Sequence, residues 1–324
     1  MPSMKITRTI AVAATVGALM SLALAGCTSS STTSSSSCSG TSSGSASDSI
    51  KATGKLGKAP KVTFKKGLST KTTEKSTLIQ GKGTVVKKGD PVIFQVSLYD
   101  GATGKKATAT DYTSTGTYLM AGPSSTLTAL TKGLVCSRVG DRIAIAGSAQ
   151  DSTGGKGISQ YKIGAKDSVV FVADILKVFP SRATGTAETP VSGQPTVKLA
   201  KNGAPTITVP KTKAPTKLES TTLIKGSGAK IKEGDTLMMQ YTGALWSTGK
   251  VFDSSWTAGQ PLVGSLTTGQ LINGWVTGLT GKTIGSQVLI VIPPADGYGS
   301  KAQGTTIPAN STLVFVVDVL GKVS

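Results

Sequence analysis

The sequence predicts an α+β fold laid down twice, each copy an antiparallel sheet with one short helix against it. Three observations carry this expectation. Short runs rich in branched and aromatic residues recur between Gly, Pro, Asn and Asp, among them Pro205-Thr-Ile-Thr-Val209, Thr236-Leu-Met-Met-Gln-Tyr-Thr242, Val288-Leu-Ile-Val-Ile292 and Thr312-Leu-Val-Phe-Val-Val-Asp-Val-Leu320. Such punctuated runs are strands, and in the first copy Val92, Phe94, Val96 and Leu98 alternate onto one side. One stretch breaks the pattern: Leu271, Ile272, Trp275, Val276 and Leu279 follow helical spacing, with Asn273 as candidate N-cap. A short helix on an antiparallel sheet is an α+β arrangement. Finally, Thr77-Leu-Ile-x-Gly81-x-Gly83 recurs as Thr222-Leu-Ile-x-Gly226-x-Gly228. Gly89-Asp90, Thr103-Gly104-Lys105 and Gly133-Leu134 recur as Gly234-Asp235, Thr248-Gly249-Lys250 and Gly278-Leu279, all offset by 145 residues. Phe171-x-x-Asp174-x-Leu176 recurs as Phe315-x-x-Asp318-x-Leu320, offset by 144. Self-similarity at a fixed spacing marks one structural unit repeated.

Residues 1–26 read as a lipoprotein signal peptide. Lys5 and Arg8 make a basic start, and the apolar run from Ile10 to Ala25 is short for a membrane span. The segment ends Leu24-Ala25-Gly26-Cys27, which resembles the bacterial lipobox. That resemblance implies that Cys27 is lipidated and becomes the mature N-terminus; an ordinary signal peptide is the alternative. Two or more acyl chains anchor stably, at about 0.8 kcal/mol per buried methylene. The expected location is the outer face of the bacterial cytoplasmic membrane, extracytoplasmic and lipid-anchored. Residues 27–55 are rich in Ser, Thr and Gly, hold little to bury and read as a flexible stalk. The first copy is expected over 56–180, a Pro-containing linker over 181–200 and the second copy over 201–324.

Without Lys5 and Arg8 of the leader, the formal charge of +19 becomes +17, and the excess is mostly lysine. That sign suits anionic lipids or acidic wall polymers as partners, beside the plainer reading of a solvated basic surface. Nucleic acid is not expected, since the sequence has no basic helix or aromatic–basic array. With Cys27 lipidated, Cys38 and Cys136 form one pair in an oxidising compartment, which favours a disulfide over two free thiols. The chain has no histidine. Ser-His and Cys-His nucleophiles are therefore excluded, and neither a metal nor a cofactor is expected. The Gly-x-Gly pairs lack the third glycine and the following helix of a dinucleotide fingerprint, and read as turns.

The second copy carries a spaced series. Tyr241-Thr-Gly243 is followed by Gly249-Lys-Val-Phe-Asp-Ser-Ser255, Gly274-Trp275, Ile292-Pro-Pro294, Gly297-Tyr-Gly299, Ile307-Pro308 and Thr312-Leu-Val-Phe315. In this order the series resembles the FKBP-type peptidyl-prolyl cis-trans isomerases over about 120 residues, nearly all of the second copy. The resemblance implies two tandem FKBP-like domains, each an antiparallel sheet wrapped on one short helix, and isomerisation of X–Pro bonds in exported client polypeptides. It puts Trp275 at the floor of a proline pocket, with Tyr241, Phe252, Ile272 and Phe315 as walls and Leu262 at the position of a further wall aromatic. Leu271 and Ile272 become the rim, Ile307 sits on a loop above, and Asp253 and the Tyr298 hydroxyl are the polar catalytic groups. Macrolide ligands of the family are implied as binders.

Three positions depart from the family pattern. Ala258 stands where an arginine is usual, leaving Asp253 without its expected salt-bridge partner; Leu262 replaces a wall aromatic, and Gln303 precedes Ile307 where an aromatic or histidine is usual. In the first copy Val96, Ala107, Thr108 and Leu130 replace Tyr241, Phe252, Asp253 and Trp275, so that copy reads as a degenerate, non-catalytic FKBP-like domain. The competing functions are a proline-segment binding module or chaperone at the envelope, and a structural β-stalk.

Overall fold

The computed structural model describes residues 38–112, 116–122 and 127–323. The leader, Cys27 and the start of the expected stalk lie outside the described residues.

In the first repeat, helix α1 (Ser45–Asp48) precedes a hairpin of β1 (Lys51–Thr53) and β2 (Lys61–Thr63). The main sheet follows: β3 (Glu74–Ile79), β4 (Pro91–Asp100), β5 (Lys106–Ala109), β6 (Thr117–Met120), β7 (Arg142–Gly147) and β8 (Val169–Val178), with α2 (Thr128–Leu134) before β7 and α3 (Ala149–Thr153) after it. Next come β9 (Thr186–Ala187) and a second hairpin, β10 (Thr196–Leu199) and β11 (Pro205–Thr208). The second sheet has β12 (Glu219–Lys225), β13 (Thr236–Leu245), β14 (Val251–Ser254), β15 (Leu262–Ser265), β16 (Gln287–Ile292) and β17 (Leu313–Lys322). Helix α4 (Ser255–Ala258) lies before β15, and α5 (Asn273–Leu279) before β16.

The duplication read from sequence is visible in the strand order. One sheet runs β3-β7-β8-β4-β5 with β6 on β4, and the other runs β14-β13-β17-β16-β12-β9 with β15 on β13. Cys38–Ser324 make one compact unit. Among the described residues the helices are short, the longest having seven residues, so the fold there is sheet-dominated and mostly β, more so than the α+β expectation.

Each sheet buries both faces. On the helix side, Leu130 and Leu134 of α2 pack with Phe94, Ile143, Ile145 and Phe171. Trp275, Val276 and Leu279 of α5 pack with Leu237, Met239, Ile290, Phe315 and Val317. Each such side chain contributes about 1.5–3 kcal/mol on full burial. Glycine lets α5 approach closely: a Cβ at Gly274 or Gly278 would stand 2.5 or 2.9 Å from Ile292 or Ile290. The opposite faces are covered by the hairpins. Ile50, Tyr99, Ala144, Ala146, Val170 and Val172 cluster with Ala52 and Val62. Ile207, Ala244, Trp246, Leu289, Val291, Val314 and Val316 cluster with Val197.

These hairpins correct the expected domain limits. Ala52 pairs with Val62, and Val197 with Ile207, at the offset of the duplication, so each repeat begins before Leu56 and Lys201. Residues 38–55 are folded where a flexible stalk was expected. Ile50 is fully buried in the hairpin-side cluster, and the amides of Ala46 and Ser47 donate to the Glu74 carboxylate at 2.9 and 3.0 Å. Cys38 and Cys136 form a disulfide with a Cα–Cα distance of 5.6 Å. The expected linker is likewise structured, since β9 pairs with β12 and β10 with β11.

Candidate functional site

A cleft of about 340 Å³ opens at one end of α5, lined by Tyr241, Phe252, Asp253, Leu262, Leu271, Ile272, Trp275, Tyr298 and Phe315, together with Gly269 and Gln270. Its parts come from separate elements. Tyr241 stands on β13, Phe252 and Asp253 on β14, Leu262 at the start of β15, Trp275 in the first turn of α5 and Phe315 on β17. Strand alternation explains the pairing across the sheet. Gly243 lies opposite both Phe315 and Asp253 in the ladders, and a Cβ there would come within 2.7 Å of the Phe252 and Phe315 rings. Glycine at 243 therefore makes room for two aromatics.

Trp275 is buried at 3% exposure and forms the floor. Its ring meets Tyr241 edge-on at 5.4 Å and Phe315 at 5.2 Å, while Phe252 meets Phe315 at 5.5 Å. These perpendicular contacts are the favoured geometry of aromatic pairs and fix the cleft walls against one another. Asp253, lacking the arginine expected near Ala258, accepts a hydrogen bond from the Tyr241 hydroxyl. Burial, and then this bond to a carboxylate, hold the Tyr241 hydroxyl well above the usual phenol range. Burial and the nearby charge of Asp253 also raise Tyr298.

Two expected placements change. Ile307 is buried at 6% exposure and belongs to the core beneath α5; it does not line the cleft, because its loop folds inward with Gln303 and Ile307 bridged by backbone hydrogen bonds. Asn273 is the first residue of α5, whose N-cap is Ile272 without a side-chain cap. The Asn273 amide instead donates to Asp296 at 2.8 Å. Gly269 and Gln270 line the cleft without having been singled out in sequence; their signal was position alone, directly before the Leu271 rim. Among the described residues no group of three or more Cys, Asp or Glu side chains is placed to hold a metal ion.

In the first repeat Leu98 takes the position of Gly243 and Ala107 that of Phe252, with Val96 and Leu130 for Tyr241 and Trp275. All four join the helix-side core. Volume that lies across the cleft in one repeat lies on the strand in the other. The second arrangement leaves an apolar floor and walls with a hydroxyl–carboxylate pair at the rim. Such a cleft suits an apolar ring carried by an extended polar chain.

Comparison with known proteins points the same way. The profile described as FKBP-type peptidyl-prolyl cis-trans isomerase matches residues 227–320. FK506-binding protein 2B of Rhizopus delemar is 47% identical over 91 residues, 28% of this chain, and the chain spans only 44% of that protein's length. FK506-binding protein 2 of Candida glabrata is 42% identical over 106 residues, which cover 32% of this chain and 78% of the relative. Among solved structures, FkpA from Escherichia coli is 35% identical with a TM-score of 0.31, covering 41% of this chain and 52% of its own.

Proposed function

The chain belongs to the FKBP-type peptidyl-prolyl cis-trans isomerase family, and on that premise we propose that it isomerises Xaa–Pro bonds, with the activity in the second repeat. The observation that carries this reading is the aromatic cleft around Trp275, whose Tyr241, Phe252 and Trp275 become Val96, Ala107 and Leu130 in the first repeat. Rotation about an Xaa–Pro bond faces a barrier of about 20 kcal/mol, because the twisted state forfeits amide resonance. The twisted amide is less dipolar than the planar one. An apolar enclosure therefore favours it over the ground state, and only such differential stabilisation accelerates the reaction.

The proline ring rests on Trp275 between Tyr241, Phe252, Leu262 and Phe315. The rim at Leu271 and Ile272 holds the flanking chain, with the Ile272 amide donating to a substrate carbonyl. Asp253, oriented by Tyr241, and the Tyr298 hydroxyl face the rotating bond. No covalent intermediate, metal or cofactor enters the reaction. The two repeats are tandem FKBP-like domains, the first degenerate. Clients are proline-containing exported polypeptides, and the N-terminal pattern supports a chain lipidated at Cys27 and held outside the cytoplasmic membrane. Recovering wild-type protein soluble and without acyl mass would count against that location.

A second reading, a binding module that holds proline segments without turning them over, is favoured by Ala258, Leu262 and Gln303. Exchange spectroscopy of a short Xaa-Pro peptide with the full chain separates the two. Accelerated cis–trans exchange is expected; binding without acceleration would replace the isomerase by the binding module.

A further inference from the structure

The two repeats meet through one apolar cluster, and its members are the same positions taken from each: Ile93 and Met238, Tyr118 and Val263, Leu176 and Leu320, Phe179 and Val323. Each pair stands at the 145- or 144-residue offset of the duplication. One patch used twice is the pattern of an isologous interface, and it treats both sides alike unless a side chain breaks the equivalence. Tyr118 does so. Its hydroxyl donates to the carbonyl of Pro261 at 3.1 Å, and its counterpart Val263 has no hydroxyl to return the bond. Lys177 acts in the same direction, its ammonium donating to the Lys322 carbonyl. The ring of Phe179 rests on Gly321, where a Cβ would stand 2.4 Å from it.

The receiving end adjoins the cleft. Pro261 is buried and immediately precedes Leu262, the first residue of β15 and part of the cleft lining. β15 pairs with β13 through Thr236↔Ser265 to Met239↔Leu262; among the described residues no other strand pairs with it. The chain then turns through Leu266 to Gly269, Gln270, Leu271 and Ile272, all four in the lining. One wall and the rim thus hang from a four-residue strand with a ladder on one edge. Pro261 has no N–H, so its carbonyl is the one backbone hydrogen-bonding group that this residue offers, directly before the strand.

We propose that the first repeat braces the cleft, and that Tyr118 is a positioning residue holding Leu262 and the rim through the Pro261 carbonyl. Tyr118 touches no substrate; it fixes where the wall stands. The proposal rests on the proline-site reading above, and it gives the repeat without Tyr241, Phe252 and Trp275 a part in the activity of the other.

The test uses the full chain carrying Tyr118→Phe, which keeps the ring and its packing, with two readouts. Amide hydrogen exchange over residues 262–266 should quicken by about fivefold, the weight of one ordinary hydrogen bond. For cis–trans exchange in an Xaa-Pro peptide, KM should rise by about the same factor while kcat moves by less than about twofold. In a Leu262→Ala background the same substitution should raise KM by less than it does in the wild-type chain, because one of the two parts it positions is gone. Unaltered hydrogen exchange over β15 overturns the brace, whatever the activity. Quicker exchange with an unaltered KM, or effects that simply add in the double variant, overturns the positioning role. A wild-type chain without catalysis overturns the isomerase reading and the positioning role with it, and leaves hydrogen exchange to decide the brace alone.

Discussion

The two repeats keep one strand order and diverge in two places, one on each face of the sheet. On the helix face, the second repeat has Gly243, Phe252 and Trp275 where the first has Leu98, Ala107 and Leu130. On the other face, the first repeat has Arg142 opposite Asp174, and the second has Gln287 opposite Asp318. Arg142 is fully buried. It donates to both Asp174 oxygens at 2.6 and 2.7 Å and to the carbonyls of Gly54, Lys55 and Lys58 in the β1–β2 turn. Gln287 donates to Asp318 at 2.7 Å, and the amide of Ala183 supplies the second donor at 2.8 Å. The first repeat ties its hairpin down with a buried ion pair and fills its core. The second relies on neutral donors and leaves a cleft open. A duplicated fold can thus carry stability in one copy and chemistry in the other.

The largest expected effect tests the stability half of this contrast. Arg142→Ala leaves the buried Asp174 without its ion-pair partner, with the Gly57 amide still donating to it, which costs about 3–5 kcal/mol. Gln287→Ala removes a neutral donor from Asp318 and should cost about 1–3 kcal/mol. Urea unfolding of the two variants should rank them in that order. Equal losses would mean that the buried pair does no more for its repeat than the Gln–Asp contact does. Burial already holds the Asp318 carboxyl above the usual range. The folded state therefore binds its proton more tightly than the unfolded chain, and this group's contribution to stability falls as pH rises through that window.

Trp275→Leu tests the chemical half, since it copies Leu130 into the second repeat. Losing the indole floor should lower kcat/KM by roughly tenfold or more, in line with the 1.5–3 kcal/mol that a large buried side chain contributes. A thermal melt must show the variant folded, because Trp275 also packs α5 against the sheet. The reverse change, Leu130→Trp, should confer no activity, as Leu98, Ala107 and Val96 occupy the places of Gly243, Phe252 and Tyr241. Activity retained by Trp275→Leu would remove the cleft from the mechanism.

How much of this was legible in sequence depended on burial. Strands such as β13, β16 and β17 bury nearly every residue, and their unbroken branched runs announced them. Helix α5 was legible because its apolar positions face one sheet. The hairpins were legible only through β11, in the Pro205–Val209 run: β1 and β10 expose most of their residues, and in each only one side chain, Ala52 or Val197, reaches the sheet. The Ser-rich segment before β1 was read as a stalk because hydrogen bonds to Glu74 leave no trace in hydropathy. In the cleft, aromatic residues were legible by type and order. Ile307 was misplaced because an apolar residue in a loop carries no sign of whether it faces a ligand or the core.

The smallest expected effect concerns the rim, where Tyr241 and Asp253 replace Val96 and Thr108 of the first repeat. Tyr241→Phe keeps the ring against Trp275 and removes the donor that orients the carboxylate. Asp253 is exposed, so water takes over part of the lost bond and the cost should stay near 1 kcal/mol, about fivefold in kcat/KM. Tyr241 also sets an expectation for pH. A free phenol ionises near pH 10, whereas burial and the Asp253 carboxylate push the Tyr241 hydroxyl higher. A raised pKa extends the protonated, donating form upward, so exchange activity should stay level from pH 7 to about 10 in wild type. The matching stability contribution is complete below the unfolded-state pKa and is lost only as pH rises through the folded one. Tyr241→Phe should lower the whole activity profile without bending it. A wild-type profile that falls well below pH 10, and is levelled by Tyr241→Phe, would show a hydroxyl ionising where the rim geometry says it keeps its proton.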